Sequence, residues 1–98
     1  MTTNFIDNEK LATQLEAAVV AQFEENFARV SSTGLDQGLQ ALYISDAADM
    51  LEVCRYIKLG EFEKARQHMA FHMDTSPRED LHLLMERVAG SEIVDSMF

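Results

Sequence analysis

Residues 8–30 read NEKLATQLEAAVVAQFEENFARV, and the spacing of their apolar side chains decides the fold class. Ala12, Leu15, Val19, Phe23, Phe27 and Val30 recur at intervals of three and four. That is the period of one face of an α-helix, not the alternation of a half-buried strand. Asp7 or Asn8 suits the N-cap, where a short polar side chain accepts a hydrogen bond from a free amide. The predicted helix runs to Val30 and spans roughly 35 Å. Ser31-Ser32-Thr33-Gly34 should break it, since three poor helix formers precede a glycine that tolerates positive φ.

Working outward, residues 35–44 read as a short helix carrying Leu35, Leu39, Leu42 and Tyr43, and Ser45 reads as the N-cap of the next. Ala47, Met50, Leu51, Cys54 and Ile57 form that helix's stripe, and Gly60 closes it. A further helix over Glu61–Met73 turns Phe62, Ala65, Met69 and Met73 inward. Thr75 or Ser76 is the expected cap of the last long helix, with Pro77 at its first position and Leu81, Leu84, Met85 and Val88 on its core face. Gly90 ends it. Residues 91–98 are apolar enough to dock, although both ends, 1–6 and 91–98, are places where order is readily lost. The fold class is all-α, a small bundle of four to five segments in one 98-residue domain, with a helix-turn-helix hairpin around Gly60.

Within that hairpin Tyr56, Gly60, Phe62, Ala65, Met69 and Pro77 stand at the intervals of a tetratricopeptide-type unit, and residues 46–77 resemble one. Glu52 and Val53 depart from the pattern, replacing a large apolar and a small packing residue. Such units stack on neighbours, and the chain shows no second copy. The resemblance implies a protein- or peptide-binding surface.

Seventeen acidic residues against eight Lys and Arg give a net charge of −9. Residues 1–54 carry −7 of it. An acidic surface of this kind repels phosphates and anionic lipid, so neither direct nucleic-acid binding nor membrane binding is expected. The longest apolar run, Ala17–Ala21, is far too short to cross a bilayer. The first residues hold no basic segment or long apolar run, so no secretory signal is read there. One cysteine excludes an internal disulfide and fits a reducing compartment, hence a cytoplasmic location.

Catalytic signals are weak. Cys54 falls on an apolar stripe, the serines sit where caps are needed, and Gly34 and Gly38 lack the spacing and the lysine of a phosphate loop. No cofactor is expected, and the chain reads as non-catalytic. One metal arrangement is open: His68 and His72 are a helical turn apart, and His82 and Glu86 repeat the spacing on the next helix. The two pairs lie on the flanks of their helices, so whether they face each other depends on the hairpin's hand.

Surplus apolar surface points to binding. Ala17 and Val20 fall off the first helix's stripe, Leu83 lies away from Leu81, and Phe71 points almost opposite Phe62. The expected role is an acidic module that regulates or inhibits another protein with a basic surface. Glu16, Glu24 and Glu25 would supply charge, and Phe27 and Phe71 apolar anchors. One version is nucleic-acid mimicry by the carboxylates. The alternatives are a metal-binding bundle and a self-assembling subunit such as a homodimer.

Overall fold

A computed structural model describes residues 7–33 and 37–97, including the side chains of 7–30 and 37–95. Five helices and no strand occupy the described residues: α1 (Asn8–Thr33), α2 (Gln37–Lys58), α3 (Phe62–His72), α4 (Thr75–Ala89) and α5 (Ser91–Met97). The all-α bundle expected from periodicity is therefore the fold. No helix among the described residues is long and apolar enough to cross a membrane.

Asp7 caps α1, its Oδ1 accepting from the Lys10 amide at 3.0 Å. At the other end the helix does not break after Val30 but continues through Thr33. Ser45, expected as a cap, lies inside α2, and the two helices anticipated over 35–59 are one. Serine within a helix costs only a fraction of a kcal/mol, roughly 0.5, against alanine. With no glycine or proline between Gly38 and Gly60, nothing opposes continuation. The expected start of the 35–44 helix at Leu35 lies outside the described residues.

Gly60 does close α2, at φ +75. The Glu61 amide donates to the Tyr56 carbonyl at 2.8 Å and the Gly60 amide to Ile57 at 3.0 Å, the paired bonds of a Schellman turn. Asp74, not Thr75 or Ser76, is the N-cap of α4, and Pro77 is its third residue. Proline is accommodated there because the first four helical amides have no partner within the helix in any case. Residues 91–97, named as a place where order is readily lost, form α5 instead and bury Val94.

The chain folds as an antiparallel α1–α2 hairpin with α3 returning along α2 and α4 running back along α1. Leu11, Ala12, Leu15 and Val19 of α1 meet Met50, Val53, Cys54 and Ile57 of α2. Ala65, Met69, Met73, Leu81, Leu84, Met85 and Val94 complete the cluster. Val53 was not among the expected core residues. It is buried because α2 lies between α1 and α3 and needs a wider apolar face than one stripe.

Length is the feature that matters for function. At about 1.5 Å per residue α1 and α2 reach about 39 and 33 Å, whereas α3 and α4 reach about 17 and 22 Å. The short helices therefore leave the end of the hairpin farthest from Gly60 without a third helix. That end projects as a two-helix arm, in which Val30 is still buried, and the molecule measures 55 × 23 × 19 Å. Its radius of gyration is 14.3 Å, above the roughly 12.6 Å of a compact chain of this size. Phe23 and Phe27, expected in the core, are half-buried for this reason and pack on each other at 5.3 Å.

Leu15→Ala should lower stability by about 2–5 kcal/mol, because a fully buried leucine leaves a cavity. Phe71→Ala, at a residue 80% exposed, should change it by less than about 0.5 kcal/mol. Urea unfolding followed by circular dichroism measures both, and equal losses would mean the core is misplaced.

Candidate functional site

Where the arm leaves the body, three elements enclose a cleft of about 280 Å³. Helical spacing puts Val19, Gln22, Phe23 and Asn26 on one face of α1, and Leu39, Tyr43, Asp46 and Met50 on the facing side of α2. The start of α4 supplies the third wall through Asp74, Pro77 and Asp80. The floor is apolar, and Leu42 forms a half-exposed lip. At this volume, near the lower limit of small-molecule pockets, the cleft takes one long side chain more readily than a nucleotide.

Its electrostatics have one sign. Asp46, Asp74 and Asp80 line it, and no Lys, Arg or His does among the described residues. Burial first, then the charges of Asp74, Asp49 and Asp80, hold the Asp46 carboxyl above its ordinary pKa. The Oε1 atom of Gln22 is buried and accepts no hydrogen bond among the described residues. A buried acceptor without a donor costs free energy, about 1–3 kcal/mol, until one is supplied.

The five residues expected to bind a partner are not gathered here. Glu16 is half-buried and close enough to Cys54 for its charge to act on the thiol. Glu24 and Glu25 are exposed on α1 outside the cleft lining, and Phe71 stands alone on α3. Phe27 adjoins the site only by packing on Phe23. Val20, Phe71 and Leu83 are exposed, as their off-stripe positions implied. The cleft carboxylates are hidden in the sequence because Asp46 and Asp80 stand just after expected N-caps, Ser45 and Thr75 or Ser76, where first-turn acids are usual. The available signal was the interval Leu39–Tyr43–Asp46–Met50, which sets a carboxylate inside an apolar stripe.

The histidines form two separate groups. His68 Nε2 lies 3.0 Å from Asp49 Oδ1 on α2, and its ring stacks on His72 at 5.1 Å. His82 Nε2 lies 3.8 Å from Glu86 Oε2, which also accepts from Ser91 at 3.2 Å. Among the described residues no three His, Cys, Asp or Glu side chains come together as metal ligands. Cys54 is fully buried, and burial pushes its thiol up to about 12, so little thiolate forms near neutral pH.

Comparison with known protein families, curated proteins and solved structures finds no match to this chain. The tetratricopeptide likeness therefore extends no further than the turn and packing positions of the α2–α3 hairpin.

The raised pKa of Asp46 has a thermodynamic consequence. Its ionised form is disfavoured on folding, so wild-type stability declines as pH rises through the range above the ordinary carboxylate value. Asp46→Asn should raise the urea midpoint near pH 7, and the gain should vanish near about pH 3, where the wild-type carboxyl is protonated in both states. A gain that persists at the lower pH would point to packing instead of charge.

Proposed function

We propose that this chain is a non-catalytic, acidic helical interaction module that binds a protein with a basic surface and regulates or inhibits it. The observation that supports this reading best is the cleft: an apolar floor, three aspartates and no basic residue among those described. Apolar surface supplies affinity, while like-signed charge steers the encounter and rejects acidic competitors.

The charge distribution extends the same reading. The first 54 residues carry a net −7, and Glu24 and Glu25 stand exposed on the arm. They would steer a basic surface towards the cleft from beyond contact distance, over about 10 Å at 0.1 M salt. A buried, unreactive Cys54 suits a cytoplasmic setting. Nucleic-acid mimicry draws less support, because an apolar cleft is not what a phosphate backbone offers. The histidine metal reading draws none from two separate pairs.

Affinity capture from the native lysate tests the proposal, with washes at roughly 0.1 M and then 0.5 M salt, where the screening length falls to about 4 Å. The expected result is one stoichiometric protein with a basic surface, retained at the first wash and released by the second. Glu24→Gln with Glu25→Gln should slow its association. Absence of a partner at both salts would contradict the proposal.

A further inference from the structure

We infer that the cleft between the arm and the start of α4 receives an amphipathic helix of the partner, with a lysine or arginine side chain inserted among Asp46, Asp74 and Asp80. This rests on the interaction role proposed above and names the surface and the chemistry that serve it.

Three observations choose this occupant. The first is charge complementarity: the lining offers three carboxylates and, among the described residues, no basic side chain. Lysine and arginine side chains are donors without acceptors, and their aliphatic stems cover apolar surface such as Phe23 and Met50. The second is size. About 280 Å³ accommodates one long side chain with its head at the rim, and the exposed lip at Leu42 is left for the apolar face of the helix that carries it. The third is the cost already present in the free protein. Asp46 is penalised first by burial and then by repulsion from Asp74, Asp49 and Asp80, and an inserted cation beside these carboxylates offsets that cost. A second copy of the chain fits less well. Residues 22–47 carry four acids against one base, so two arms placed together repel.

His68 of α3 bonds to Asp49 of α2, and neither lines the cleft, which leaves Asp46, Asp74 and Asp80 as the receiving charges.

The test uses the full chain labelled with methyl-13C methionine. Its probes are a synthetic leucine–arginine amphipathic helix of about five turns and a leucine–glutamate counterpart. Met50 lines the cleft, whereas Met69 and Met85, buried in the same cluster, do not, so the protein carries its own controls. The expected result is a shift of the Met50 methyl with the basic helix alone and unmoved signals from Met69 and Met85. Asp46→Asn with Asp80→Asn should weaken binding by about tenfold or more, and Glu24→Gln with Glu25→Gln by about threefold or less. The unmoved body methyls also verify that the variants are folded.

Binding that leaves Met50 unshifted and is weakened equally by both double variants would overturn the cleft inference, while leaving the broader role intact. Equal binding of the acidic helix, or no binding of the basic one, would overturn it as well. A Met50 shift on concentrating the protein alone would assign the cleft to a second copy and do the same. The lysate capture fails independently of all four results.

Discussion

Leu15 and Val19 of α1 bury against Val53, Cys54 and Ile57 of α2 in one apolar cluster, and the remaining structure is arranged around that seam. A helix pair has two open flanks, and each must be covered by further apolar surface if it is to be dry. α3 packs on α2, and α4 packs on both α1 and α2, but both are shorter than the hairpin they cover. The seam is therefore enclosed near Gly60 and, beyond the start of α4, is held by α1 and α2 alone, with Val30 still buried there. Phe23 and Phe27 mark the transition: side chains that would be interior in a longer bundle are half-exposed and lean on each other. The cleft is where cover stops.

Electrostatics sharpen the consequence. A bundle that merely ended early would expose neutral apolar surface, a liability for non-specific association. Here Asp46, Asp74 and Asp80 stand at the edge of that surface. Burial first, and then repulsion from Asp74, Asp49 and Asp80, raises the pKa of Asp46 and costs the free protein stability. On the proposed reading this arrangement would disfavour acidic partners and favour a cation, exchanging local stability for selectivity of contact.

Much of the fold was legible in the sequence because it depends on period and punctuation. The three- and four-residue spacing of Leu15 and Val19 and the glycines at 60 and 90 are local signals, and they translate directly into helices and their ends. What failed were weak local signals opposed by packing. Ser31 and Ser45 are poor helix formers by fractions of a kcal/mol, and long-range burial along the α1–α2 seam outweighs that. Val53 looked surplus because a single sequence does not say that a helix will have neighbours on two sides. The site was less legible still. Asp46 serves equally well as a first-turn acid or as a charge at a cleft, and only the relative lengths of α2 and α4 decide between them. The helical-wheel positions of His68 and His82 were correct in placing each with a near neighbour, but Asp49 comes from another helix and no local pattern announces it.

The end of the hairpin far from Gly60 lacks a third helix, and on the proposed reading a basic helix of the partner completes it. Residue-resolved amide hydrogen exchange tests this most directly, in the free protein and with the leucine–arginine helix added. The amides of Val19 and Val53 should exchange only through global unfolding. Those of Phe27 and Tyr43 should exchange at least about tenfold faster through local opening and slow selectively on binding. Uniform protection along α1 and α2 in the free protein would contradict the account.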